Sequence, residues 1–213
     1  MTNEGQLSMM KNMLRFAMDA GFDMSMFHCY ILRDQKEAAT YNTGAFKSLT
    51  TRKLEIILEN MMTDPEVLWI DNDIVLFENC INNVRSYRGS FVMQDDLWSP
   101  CTGFFFVRSS LASLRTIRKC IEWLNQNSHV PTINDQHAFN YVYKRIVGLT
   151  VTLLPQEEYP NGAVYFQQRK TSKAKMVHCN YLQTTLEKQE RLKEYGFWKP
   201  TETAFDLANK YYI

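Results

Sequence analysis

Apolar positions recur along this chain with two periods, and the two periods locate most of its elements. Met9, Met10, Met13, Leu14 and Ala17 keep the three- and four-residue spacing of a helix, and Gly21 follows as a stop. A second helix is predicted from Leu54, Ile57, Leu58, Met61 and Met62, ended by Asp64-Pro65. A third runs over Leu111 to Asn127, with Leu111, Leu114, Ile117 and Ile121 on one face. Asn134 is the natural N-cap of a shorter helix reaching Ile146. Thr184 with Glu187 forms a capping-box signature for a helix ending near Gly196, and a last helix follows Pro200. Between them, extended apolar runs predict strands over 24–32, 67–77, 91–93, 103–108, 151–154 and 175–178. Strands alternating with helices predict an α/β fold with a mostly parallel central sheet flanked by helices. The 213 residues fit one domain spanning 1–213, either alone or as a fragment of a larger polypeptide.

One predicted strand breaks its own pattern. Leu68-Trp69-Ile70 and Ile74-Val75-Leu76-Phe77 are apolar, but Asp71 and Asp73 stand between them. Carboxylates in a buried strand are costly unless their charge is compensated. Side chains at i and i+2 of an extended segment point the same way, so both can converge on one hard divalent cation. Mg²⁺ and Mn²⁺ prefer oxygen ligands and commonly keep substrate phosphates in their shell. A bare D-x-D triplet more often caps a helix or solvates a turn, but such a turn would not need apolar runs on both sides.

Composition narrows the partners. With 24 Lys and Arg against 23 Asp and Glu, the net charge of +1 gives no field for nucleic acid. Residues 161–200 are nevertheless basic, with eight Lys/Arg (Lys170 among them) against three acids, a solvated face or one turned toward phosphates. The five cysteines are odd in number and form no C-x-x-C pair, which argues against a disulfide framework and a zinc site and predicts a reducing, cytoplasmic setting. No signal peptide and no membrane-spanning run is visible.

Further candidates lie at strand and helix ends. Asp95 and Asp96 end the 91–93 strand and lead through a small-residue turn into the next. Turn formation is the common role of such a pair, but strand ends of this kind gather at ligand sites in α/β sheets. Carboxylates there can accept hydrogen bonds from sugar hydroxyls, and Gly103 allows close backbone approach. Asp135, just inside the helix capped by Asn134, favours the helix dipole, and His137 reads as a surface or packing histidine. His178, ending a late strand, offers a third ligand beside Asp71 and Asp73, since neutral imidazole suits Mn²⁺. Lys188, ten positions on, is by default a solvated charge, yet it reaches the same phosphates if strand and helix fold back on the site. Trp98 and Tyr159 are candidates for stacking on a sugar ring, although aromatics more often fill cores.

Four segments occur in order: Asp71-Asn72-Asp73, Cys101-Thr102-Gly103 with the strand to Ser109, Asn134-Asp135-Gln136-x-x-x-Asn140, and His178-x-Asn180-Tyr181 followed by Lys188. The set resembles the GT-A glycosyltransferases (Rossmann-like single domains) of the nucleotide-diphospho-sugar transferase family, related to glycogenin-like and plant cell-wall enzymes, over about Phe27 to Trp198. The resemblance implies transfer of a sugar from a nucleotide-sugar donor, usually a UDP-sugar, to a glycan or other hydroxyl acceptor. It implies Mn²⁺ or Mg²⁺ held by Asp71, Asp73 and His178, and diphosphate or nucleotide contacts from Lys188, Asn72 and Lys53. Donor-sugar contacts fall to Asp95, Asp96, Thr102 and Gly103, and Asp135-Gln136 match the pair lying against the sugar in retaining relatives. If configuration is retained, Asp135 stabilises the developing cation or acts as transient nucleophile. If it is inverted, Asp95, Asp96 or Asp135 is the base; the resemblance favours retention. The chain departs from the family in its nearly absent first strand, in Cys101 where relatives often carry Asn, and in Thr184 where they often carry Gly. The alternatives are a nucleotide-sugar-binding domain without turnover, a nucleotidylyltransferase and a metallophosphatase. Intact acids argue against the first, and the lack of an N-terminal glycine-rich loop against the second. A metallophosphatase would want more His and Asp near the other strand ends.

Overall fold

The computed structural model describes residues 1–33, 43–169 and 172–213; Lys170 of the basic run lies outside them. In chain order the strands are β1 (Thr2–Asn3), β2 (His28–Leu32), β3 (Glu66–Ile70), β4 (Ile74–Leu76), β5 (Phe91–Asp95), β6 (Pro100–Arg108), β7 (Val151–Leu154), β8 (Met176–His178) and β9 (Asn209–Tyr212). The α-helices are α1 (Leu7–Asp19), α2 (Gly44–Thr63), α3 (Ile81–Ser86), α4 (Leu111–Gln126), α5 (Asp135–Val142), α6 (Thr185–Glu194) and α7 (Glu202–Leu207). The α/β class read from the alternation is the one observed. The residues divide into two compact units, Met1–Ala38 with Asp71–Cys80 and Gln156–Ile213, and Ala39–Ile70 with Ile81–Pro155.

The first unit holds the sheet β1-β2-β9, parallel throughout, and the antiparallel pair β4-β8. The predicted face of α1 is buried: Met9, Met10, Met13, Leu14 and Ala17. Gly21, at φ +79°, stops the helix in the left-handed region that glycine adopts without penalty. Met9 packs with Val75, Tyr165, Phe166, Val177, Cys179 and Leu192, so the middle strands β4 and β8 share one core with both α1 and α6. The strand expected from Met24 begins only at His28, because Asp23 accepts from Ser25 N and winds Met24–Met26 into a 3₁₀ turn.

The second unit is built on the sheet β3-β6-β5-β7. Parallel pairing joins β5 to β7, whereas β6 runs antiparallel to both β3 and β5. The reason is the connection: β5 and β6 are joined by a tight turn closed by Asp96 N–H donating to Ser99 O at 2.9 Å, and so short a link permits only an antiparallel pair. Helix α2 begins at Gly44, earlier than its apolar pattern, because Thr43 caps it through Phe46 N–H. Helix α4 buries Ser113, Thr116, Ile117, Cys120 and Leu124; of the predicted face Ile117 is in the core, Leu114 and Ile121 are half-buried, and Leu111 is 89% exposed. A Ser110–Ser113 capping box starts the helix, and the Ser113 hydroxyl also donates to Arg108 O at 2.7 Å.

The strand expected over Val67 to Phe77 is two strands. Pairing of β3 with β6 ends at Ile70↔Phe104, and pairing of β4 with β8 begins at Ile74↔His178. Asp71, Asn72 and Asp73 form the turn between them, with Ile74 N–H reaching Asp71 O at 3.3 Å. The two carboxylates therefore converge through a turn, not through the alternation of a continuous strand.

Candidate functional site

In the first unit, the ladder places the predicted ligands together. Register Ile74↔His178 sets the end of β8 beside the aspartate turn, and Cys179 N–H donates to Asp73 O at 2.9 Å. One ligand atom each from Asp71, Asp73 and His178 lies within 4.8 Å of the others. The two oxygens and one imidazole nitrogen form a donor set that suits Mn²⁺ or Mg²⁺.

Asp73 is the centre of this group. Its Oδ1 lies 3.2 Å from His178 Nε2, and its Oδ2 accepts from Lys188 Nζ at 2.7 Å. Burial pushes the Asp73 carboxyl up, but the Lys188 ammonium and the His178 ring outweigh it and hold it well below the usual carboxylate range. Burial likewise opposes the Lys188 charge, and Asp73 more than restores it, so Lys188 is raised. Burial pushes the neighbouring Cys179 up to about 12, with Asp73 adding to the effect, which leaves a neutral thiol outside the ligand set.

Local sequence explains where Lys188 stands. Thr184 accepts from Glu187 N–H at 3.2 Å and Glu187 accepts from Thr184 N–H at 2.9 Å, the capping box read from the sequence. This fixes the first turn of α6 and presents Lys188 on it. Asn72 donates to Thr2 Oγ1 at 3.2 Å, tying the aspartate turn to β1. The first strand that the sequence nearly lacks is thus present as a two-residue strand, with Thr2 and Asn3 both buried.

A further support lies behind His178 and was not legible in the sequence. Asn161 bridges His178, and Gly162 N–H donates to Asn180 Oδ1 at 2.7 Å. A Cβ on Gly162 would meet Asn180 O at 2.5 Å and His178 O at 3.1 Å, so this close approach requires glycine. The Asn-Gly dipeptide signals a turn, but nothing in it names the strand it packs against.

The second unit gathers the remaining predicted residues. Lys53 Nζ donates to Thr102 O at 2.7 Å, lies 3.0 Å from Asp135 Oδ2 and stands 5.3 Å over the Trp69 ring. Lys53, Thr102 and Asp135 are all buried. The Asp135 contact is an ion pair whose angle is not that of a hydrogen bond. Asn134 accepts from Gln136 N–H and His137 N–H at 3.1 and 3.2 Å, the expected N-cap, and His137 itself is exposed at the surface. Gln136 Oε1 accepts from Thr102 N–H at 3.3 Å, and its Nε2 donates to Asp96 Oδ2 at 3.0 Å. Asp96, Thr102, Gln136, Asp135 and Lys53 therefore form one connected polar network. Asp95 and Asp96 are half-buried at the end of β5, Gly103 is buried in β6, and Asn140 donates to Pro100 O at 3.2 Å. The two aromatic candidates separate: Tyr159 is fully buried and belongs to the core, whereas Trp98 is 91% exposed.

Comparison with known proteins follows this geometry. The profile of the family described as nucleotide-diphospho-sugar transferase matches residues 9–192. A UDP-galactose:fucoside alpha-3-galactosyltransferase of Dictyostelium discoideum is 25% identical over 223 residues, covering 85% of this chain and 33% of that protein. A UDP-D-xylose:L-fucose alpha-1,3-D-xylosyltransferase of Arabidopsis thaliana is 23% identical over 192 residues, covering 78% of this chain and 53% of that protein. The chain thus spans a third to a half of the length of these relatives. Among solved structures, galactosyltransferase LgtC with donor and acceptor sugar analogues matches at TM-score 0.64 and 10% identity, over 97% of this chain and 100% of that one. A glycosyltransferase involved in glycosylation of the PBCV-1 major capsid matches at 0.59 and 15%, over 92% and 97%.

Proposed function

Because the chain belongs to the nucleotide-diphospho-sugar transferase family and shares the GT-A fold, we propose that it transfers a sugar from a UDP-sugar to a glycan hydroxyl, with retention of configuration. The observation that carries this reading is the meeting of Asp71 and the buried Asp73 with the buried His178, from a distant part of the chain, in one group with Lys188. Mn²⁺ or Mg²⁺ held by Asp71, Asp73 and His178 would supply positive charge against the diphosphate. Lys188, already fixed by Asp73, adds its own charge to the leaving group and costs no reorganisation when the reaction occurs. Asn72, between the two ligands, lies against the nucleotide.

In the second unit, Asp135 is assigned to stabilise the developing sugar cation or to act as transient nucleophile. Lys53, 3.0 Å away, orients this carboxylate, so its part in donor binding runs through Asp135 as well as through any diphosphate contact. Gln136, held by Asp96 and Thr102, presents its amide to the sugar; Asp95, Asp96, Thr102 and Gly103 line the donor-sugar position. The C1–O bond to the diphosphate breaks, the acceptor oxygen forms the new bond to C1, and its proton passes to the leaving phosphate oxygen. The named relatives transfer to fucose or a fucoside from UDP-galactose or UDP-xylose, and we take these as the first donors and acceptor. We take residues 1–213 as one catalytic domain, acting in the cytoplasm; among the described residues no helix is long and apolar enough to cross a membrane.

Thermal denaturation with Mn²⁺ and UDP, UDP-galactose or UDP-xylose tests the reading. A ligand of the folded state at 100 times its Kd stabilises by about 2.7 kcal/mol, and that gain should need Mn²⁺. Asp73→Ala should lose it, together with donor hydrolysis, while keeping the circular dichroism of the fold. If no nucleotide or nucleotide sugar stabilises the protein in Mn²⁺, the proposal fails.

A further inference from the structure

Trp98 has no part in either polar group, and among the described residues no aromatic is more open to water, at 91% exposed. Burying an indole is among the largest hydrophobic gains available to a side chain, and here the fold forgoes it. The tip that carries the ring is nevertheless well defined. Asp96 N–H donates to Ser99 O at 2.9 Å, closing the turn, and Leu97 is held at φ +67°. That region is uncommon for a residue with a Cβ, and such backbone persists where surrounding structure enforces it. Pro100 opens β6 opposite Asp95, fixing the other side of the turn. A register shift at Met93/Gln94 bends the hairpin just before its tip.

This hairpin also carries Asp96, whose Oδ2 accepts from Gln136, and Thr102, whose N–H donates to Gln136. The exposed ring is thus two residues from one end of the network assigned to the donor sugar, on the same rigid turn. An aromatic face left in water beside a sugar-handling group is suited to the C–H face of a pyranose. An α-L-fucoside presents C3–H, C4–H, C5–H and a methyl group on one side, which is the face an indole stacks against.

We propose that Trp98 is the stacking platform for the acceptor pyranose, with the fucoside class as its ligand. This inference rests on the glycosyl-transfer reading above. It adds a residue that holds the acceptor and leaves donor binding to the groups already named.

The test uses methyl α-L-fucopyranoside as acceptor, with UDP-galactose or UDP-xylose as donor and Mn²⁺ present. Trp98→Ala should raise the acceptor KM at least tenfold while the donor KM stays within twofold, and Trp98→Phe should recover part of the loss. Because the side chain is almost fully exposed, neither change threatens the fold. A Trp98→Ala variant with the wild-type acceptor KM overturns the platform and points to another partner for the ring. Indole fluorescence titrated with the same fucoside, in Mn²⁺ and UDP, separates the two levels of the reading. A saturable change in the wild type that disappears in Trp98→Ala supports the platform even if neither donor is turned over, which would count against glycosyl transfer alone. No saturable change together with no turnover overturns both.

Discussion

Replacing Lys53 with methionine removes one charge from a buried pair and leaves the other behind. Methionine keeps the length and most of the apolar stem, so the change isolates the ammonium. The side chains of Lys53 and Asp135 are 5% and 6% exposed and 3.0 Å apart, and the ammonium also satisfies Thr102 O at 2.7 Å. Stripping one partner from such a pair typically costs about 3–5 kcal/mol, because the remaining carboxylate stays desolvated without compensation. At roughly 2–4 °C per kcal/mol for a chain of this size, the melting temperature should fall by about 6–20 °C. Urea and thermal unfolding followed by circular dichroism measure it. The double variant Lys53→Met with Asp135→Leu should regain most of the loss, since apolar replacement of both partners is often neutral. The coupling between the two changes should be on the order of 2–3 kcal/mol, well outside the additivity expected of independent sites. A Lys53→Met protein within about 1 kcal/mol of wild type refutes the buried pair, as does a double variant no more stable than the single. In either case Asp135 would lose the partner that orients it in the proposed chemistry.

Two further changes probe the support of the metal group. Gly162→Ala drives a Cβ to 2.5 Å from Asn180 O, so the 161–162 segment must move off the end of β8. The expected cost is about 1–3 kcal/mol, and Mn²⁺ affinity, read by calorimetry, should weaken by roughly 10–100-fold as His178 loses its backing; unchanged stability and affinity would refute this role. Hydrogen bonds from Thr184 N–H and its hydroxyl hold the Glu187 carboxyl below the usual range. A depressed pKa contributes stability above the unfolded value, about 4.3, and loses it as pH falls through the folded one. Glu187→Gln should therefore flatten the acid limb of the stability–pH curve below about pH 4.3 and change its slope little near neutrality; an unaltered acid limb would show that the capping box carries no linkage.

The donor set was readable because its chemistry is anomalous in one dimension. Two acids interrupting Leu-Trp-Ile and Ile-Val-Leu-Phe ask for a compensating charge, and the structure brings Lys188 and His178 to Asp73. What the linear pattern hid was how they meet. A strand and a turn between two strands look alike when both flanks are apolar, and only the separate ladders, ending at Ile70↔Phe104 and starting at Ile74↔His178, tell them apart. The start of α4 was misread for a related reason: Leu111 fits the helical period, but it lies in the first turn, beyond the part of the helix that packs against α2 and α5, and is left in water.

By itself, the sequence determined whatever depends on neighbours along the chain. It marked the periods of the helices, the stop at Gly21, the caps at Asn134 and at Thr184 with Glu187, the aspartate pair, and the order of four motifs. Tertiary structure alone decided which distant groups share an environment. It paired Lys53 with Asp135, linked Gln136 to Asp96, set Gly162 against Asn180, sank Tyr159 into the core and left Trp98 in water. Caps and helical periods are local interactions, complete within a few residues. Ion pairs and burial depend on strand register and packing across tens to hundreds of positions, where many pairings satisfy the same hydrophobic pattern and only the folded core selects one.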